Sequence, residues 1–151
     1  MIRFFVGGLP KSMKIGSVVR FQRGGKIHMA PKRGNSEWAM LVGQIGRAHA
    51  PAVPYSPDIA LSFMALFYMP RPATLPKRVL MPLKRPDVDN LMHKLTDQFN
   101  GVFWADDSQI VDVIARKRFA ADGRPGVEII VEPVFVEPSR LARQSELVGR
   151  L

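Results

Sequence analysis

Cysteine is absent from this chain, which excludes both disulfide staples and thiolate metal sites. Long apolar runs are missing too. The longest, Ile59 to Met69, is broken only by Ser62. It is too short to span a bilayer and lies too far from the N-terminus to be a signal segment. The expectation is a cytoplasmic protein with no membrane partner. Internal repeats and low-complexity tracts are also lacking. Acidic side chains are scarce in the first 86 residues, which hold 2 of them against 14 basic ones. Residues 87–151 reverse the balance, with 11 acidic against 8 basic.

The 151 residues suffice for one domain, 1–151, with a real core. The net charge is +9 and the isoelectric point about 10.5. A chain this basic attracts a polyanion, because neutralising phosphates releases counterions. The alternative is a basic soluble protein with no such partner. Charge therefore points to nucleic acid without saying what is done to it.

Ile2 to Val6 reads as an opening strand, stopped by Gly7, Gly8 and Pro10. Lys11 to Gly34 reads as a basic loop or irregular hairpin. Ser36 is placed to cap a helix over 37–48, with Trp38, Leu41, Val42 and Ile45 on one face. The apolar run 59–69 suits a buried helix or a strand. Phe63, Phe67, Tyr68 and the flanking prolines favour a strand covered on both faces. Five prolines make 70–86 an exposed loop. Strands follow at 109–119 and 127–135, and 138–151 forms a helical or flexible tail. The expected class is α+β, one mixed sheet of about four strands with two to three helices.

The chemistry concentrates in residues 84–118. Pro86 disfavours helix for the residue before it, and Asp87 is a good N-cap for a helix over 88–99. Val88, Leu91, Met92, Leu95 and Phe99 share its apolar stripe, with Asp89, His93 and Asp97 opposite and Lys94 on a neighbouring edge. Gly101 ends the helix, and Asp106-Asp107 immediately precedes the next strand. Five aspartates thus fall within 21 residues. Short carboxylates suit Mg²⁺, which takes one or two of them beside waters and phosphate oxygens. A hydrolytic nuclease uses that ion to neutralise the scissile phosphate and activate water. Capping at Asp87 and Asp89, with a plain turn at Asp106-Asp107, explains the same residues without a metal.

The string Pro86-Asp87-Val88-Asp89-Asn90-Leu91, then Asp97, then Asp106-Asp107-Ser108-Gln109-Ile110, resembles the signature of the RusA family of Holliday-junction resolvases. The likeness is specific over 84–118 and looser over the opening strand and the basic loop with Lys11, Lys14 and Arg20. It implies a RusA-like α+β fold and a homodimeric, Mg²⁺-dependent endonuclease, with Mn²⁺ as a substitute, that nicks opposed strands of four-way DNA junctions. It assigns metal binding to Asp87, Asp89 and Asp107, with Asp106 beside them. A two-fold enzyme matches a two-fold junction, and a phage or prophage recombination system would suit the family. One position departs from the pattern. Where the family has a lysine three residues after the asparagine, this chain has His93, followed by Lys94. Either His93 takes over the lysine's part, or Lys94 swings round, or the protein is weakly active or inactive. Flap or other branched-DNA cleavage, and DNA binding without catalysis, are the competing functions.

Candidate phosphate contacts are Lys11, Lys14, Arg20, Arg23, Lys32 and Arg33 near the N-terminus, Lys84 and Arg85 before the aspartates, and Arg116, Lys117 and Arg118 on the later strand. On that strand Lys117 faces opposite to its two neighbours. Phe103 and Trp104 are read as core, with a wedge into an opened base step as the sharper alternative.

Overall fold

The computed structural model describes residues 1–11, 18–23, 26–31 and 36–135, with the backbone alone at 18–23, 26–31, Ser36 and Lys94. Lys14, Lys32, Arg33 and the tail 138–151 lie outside the described residues. The elements run β1 (Ile2–Gly7), β2 (Val18–Arg23), β3 (Lys26–Pro31), α1 (Ser36–His49), β4 (Leu61–Met69), α2 (Val88–Phe99), β5 (Ile110–Phe119) and β6 (Gly126–Pro133). The class is α+β, and its main sheet is mixed, four-stranded and ordered β1-β6-β4-β5. β4 pairs parallel with β5 and antiparallel with β6, and β6 pairs antiparallel with β1. The basic segment after Lys11 includes a separate antiparallel hairpin, β2 with β3.

Alternation along the strands decides which face is core. Phe4 and Val6 of β1, Phe63, Ala65 and Phe67 of β4, and Val127, Ile129 and Val131 of β6 are buried beneath the two helices. Trp38 and Val42 of α1 and Leu91, Leu95 and Phe99 of α2 close that core. Each large side chain so buried contributes roughly 1.5–3 kcal/mol. The expectation that β4 is covered on both faces is not met. Its burial alternates residue by residue, so Ser62, Met64, Leu66 and Tyr68 stay half-buried on the face that the described helices leave open. The physical reason is that both helices pack on one side.

α2 occupies the residues its periodicity announces, 88–99, with Leu91, Met92, Leu95 and Phe99 buried. Asn100 and Gly101 end it, Gly101 at φ 73°, a left-handed conformation that glycine adopts without a Cβ penalty. α1 begins at Ser36 itself and buries Ala39 beside Trp38 and Val42, while Leu41 lies at its rim. The helices approach closely at Gly46, where an added Cβ would run into the Phe99 ring. The strands also differ slightly from expectation. Gln109 belongs to a 3-10 turn, Asp107–Gln109, ahead of β5, and β6 ends at Pro133.

Phe103 and Trp104 are core, each with no exposed surface. Trp104 packs edge-on against Phe63 and Phe99, and its Nε1 donates to Asn100 Oδ1 at 2.7 Å. A base-step wedge from either residue would require dismantling that cluster, so the sharper alternative fails.

Candidate active site

The loop before α2 sets the position of the first two aspartates. Arg71 closes the proline-rich stretch by donating to the carbonyls of Val79 at 2.6 Å and Pro76 at 2.9 Å, while its guanidinium lies 5.0 Å from the Phe119 ring centroid. Further on, the Lys117 ammonium donates to the carbonyls of Lys84 and Pro86, both at 2.9 Å. The register makes this possible. Lys117 pairs with Phe67, so it shares the helix face, whereas Arg116 and Arg118 pair with Leu66 and Tyr68 on the open face. The side chain named as a DNA contact is thus a tether for the loop that carries Lys84, Arg85 and Asp87. Lys84 and Arg85 themselves are exposed. They border a groove of about 940 Å³ between the loop, Lys11 and Phe119.

Asp87 stands at the N-cap of α2, yet its carboxylate makes no capping hydrogen bond; only its main-chain carbonyl is used, by the Leu91 N–H at 3.1 Å. Asp89 is exposed in the first turn. Neither carboxylate has a hydrogen-bond or ion-pair partner among the described residues. Capping through the side chain therefore does not account for Asp87. Further along the same side, His93 Nδ1 lies 3.4 Å from Asp97 Oδ2, with the His93 side chain 60% exposed. That ion pair holds whenever the imidazole is protonated.

The second aspartate pair divides its work. Asp106 Oδ1 accepts from the Ser108 N–H at 2.9 Å, and Gln109 Oε1 accepts from the N–H groups of Ala105 at 2.8 Å and Asp106 at 3.3 Å. These bonds form a capping box around the 3-10 turn. The Ser108 hydrogen bond also holds the Asp106 carboxyl below the usual carboxylate range. Gln109 is buried, and its Nε2 donates to the carbonyls of Ser56 at 2.8 Å and Ile59 at 3.2 Å, tying the turn to the start of β4. The Asp107 carboxylate is exposed and has no partner among the described residues. Sequence reading missed both Gln109 and Lys117 as positioning residues. For Gln109 the spacing Asp106-x-x-Gln109 is the available signal.

The three carboxylates expected to share a metal do not meet within one chain. Among the described residues no group of three or more histidine or acidic side chains is arranged to hold an ion. The topology explains this. Parallel β4 and β5 require a helix that returns between them, so Asp87 and Asp89 begin α2 at one end of the sheet. Asp107 enters β5 at the other, about 18 Å away along the helix. Asp87 and Asp89 by themselves fit a hard divalent cation, which accepts one or two carboxylates plus water. A three-carboxylate site in a single chain does not fit.

Exposed carboxylates without partners among the described residues thus lie near exposed cations, on a mixed sheet whose described helices pack on one face. The chain belongs to the RusA family, since the family model described as endodeoxyribonuclease RusA matches residues 17–132. It is also similar to the protein YqaN of Bacillus subtilis strain 168, described as uncharacterized, with 27% identity over 143 residues, covering 88% of this chain and 96% of that one. The family is one of endodeoxyribonucleases, and no described helix is long and apolar enough to cross a membrane.

Proposed function

We propose that this chain is a divalent-cation-dependent endonuclease for branched DNA, that the four-way junction is its preferred substrate, and that it cuts as a homodimer by paired nicks. The observation that carries this reading is the pair Asp87 and Asp89. Both are exposed and without partners among the described residues, at the N-cap and first turn of α2, behind a loop tethered by Lys117 that carries Lys84 and Arg85. Leaving two carboxylates without partners has no structural benefit that capping supplies, and it suits Mg²⁺ or Mn²⁺ brought in with phosphate oxygens. When bound, the cation would supply charge neutralisation at the phosphate and a more acidic water. The chain's own part is to hold the two carboxylates and to line the approach with cations.

The test uses a labelled four-way junction, a flap and a linear duplex, each with Mg²⁺ or EDTA, and Asp89→Asn beside the wild type. The expected result is symmetric nicking of the junction, dependent on Mg²⁺ and lost in the variant while binding persists. Equal cutting of flaps would widen the substrate to branched DNA in general. A second reading, DNA binding without catalysis, is favoured by His93 at the position where the family has lysine. Tight junction binding with no cleavage in Mg²⁺ or Mn²⁺ would establish it, and His93→Lys would then be the change to make.

A further inference from the structure

Between Asp58 and Asp87 the chain has no acidic residue, and within that stretch lies a short apolar tip with a basic pair on either side. The order is Lys77-Arg78, then Val79 to Leu83, then Lys84-Arg85. All four cations are exposed. So are three apolar side chains between them, Leu80 at 74%, Met81 at 45% and Leu83 at 85%. Exposed leucines scattered singly are ordinary on a protein surface. An apolar cluster enclosed by cations is a different object, because a polar rim around exposed apolar surface marks a site of interaction.

The tip is braced on both sides. Arg71 donates to the carbonyls of Pro76 and Val79 ahead of it, and Lys117 donates to those of Lys84 and Pro86 after it. Pro82, in the middle, is buried, and its ring fixes φ. The exposed side chains are therefore carried by a segment already ordered in the free protein, which lowers the entropy lost on binding.

We propose that this tip is a wedge for branched DNA: Leu80 and Leu83 enter the opened base step at the branch point, while Lys77-Arg78 and Lys84-Arg85 hold the phosphates on either side. This deepens the branched-DNA reading and rests on it for the substrate. Leucine and methionine are among the side chains that part stacked bases, and the flanking cations neutralise phosphates. In an intact duplex the wedge must first break stacking, whereas at a branch point stacking is already interrupted. The tip thus discriminates branched from linear DNA, which Asp87 and Asp89 cannot do by themselves.

A displaced base also finds room. The groove of about 940 Å³ is lined by Met81, Pro82 and Leu83 of the tip and by Phe119, with no acidic side chain in its described lining. An anionic bilayer fits the same tip less well. Asp87 and Asp89 follow Arg85 by two and four positions and repel a surface of like charge, whereas on DNA they meet phosphate through the divalent cation of the proposed site.

The test places a fluorescent purine analogue, which brightens when unstacked, at the branch point of a four-way junction and within a linear duplex. EDTA is present, so that nothing is cut. Wild type is expected to brighten the junction and leave the duplex unchanged. Leu80→Ser/Leu83→Ser, with circular dichroism as the check on folding, is expected to abolish the rise and to lower junction affinity about ten-fold, with duplex affinity unchanged. Leu80→Met/Leu83→Met keeps an apolar tip and is expected to retain both properties. No rise with wild type, or a rise that survives the serine substitutions, would overturn the proposal. Equal loss of affinity for duplex and junction would do the same, since it marks a general contact. A smaller sedimenting mass for the serine variant would assign the tip to a second copy instead, and capture by anionic phospholipid vesicles that the serines abolish would assign it to a bilayer. Brightening without nicking in Mg²⁺ or Mn²⁺ removes the nuclease and leaves the wedge standing; nicking without brightening does the reverse.

Discussion

The Lys117 ammonium reaches across to carbonyls 33 and 31 residues upstream in the chain. A charged donor bonded to main-chain oxygens is worth more than a neutral one, about 1.5–3 kcal/mol where it is shielded. Here one of the two bonds is exposed, so the lower end applies. Lys117→Met keeps the stem and removes the charge. It is expected to cost about 1.5 kcal/mol in a urea titration and to reduce cleavage more than DNA binding, since it frees the loop ahead of Asp87. Asp106 gives a pH-dependent counterpart. Its carboxyl is depressed first by the Ser108 side chain and then by the Ser108 N–H, so its stabilisation is present above the ordinary aspartate range. That contribution is lost as pH falls through the depressed value. An NMR titration should place Asp106 below an unperturbed aspartate, and Ser108→Pro, which removes both the hydroxyl and the N–H, should return it.

At the scale of elements, α2 shows how far a sequence can be read. Pro86 before the cap, the apolar spacing through Phe99 and Gly101 after it are all local signals, and the helix starts and stops where they place it. The mixed sheet and the core position of Phe103 and Trp104 followed from similar patterns. What local signals could not supply was the parallel pairing of β4 with β5, because register and direction are set by contacts between distant segments. That pairing sends Asp107 to the opposite end from Asp87, although only 19 positions separate them. The strand–helix–strand order carries that information, whereas the closeness of five aspartates in sequence does not. Helix packing yields two predictions. Gly46→Ala drives a methyl group into Phe99 and should cost about 1–3 kcal/mol by overpacking. Trp104→Ala empties the centre of the aromatic cluster and should cost about 3–5 kcal/mol. Chemical denaturation of each variant checks both.

For the molecule as a whole, charge is the longest-range property. The net +9 predicts DNA binding that weakens steeply with salt, the logarithm of affinity falling by about 0.9 per phosphate contact for each logarithmic unit of salt. Lys84→Ala and Arg85→Ala, at the edge of the groove, should each reduce that slope by about one without favouring one DNA sequence. Fluorescence anisotropy across a salt series measures it. A slope unchanged in both variants would mean that DNA approaches by another surface.

The two tryptophans of the chain, Trp38 and Trp104, are both buried, and the Trp38 indole N–H has no hydrogen-bond partner among the described residues. They therefore form a built-in optical reporter. One watches the packing of α1 on the sheet and the other the heart of the aromatic cluster, and neither lies where DNA could stack on it. Emission should be blue-shifted in the native protein and move to the red only when the core opens. A change in tryptophan emission on adding DNA would report a rearrangement of the fold, whereas steady emission beside rising anisotropy would show docking onto a rigid scaffold.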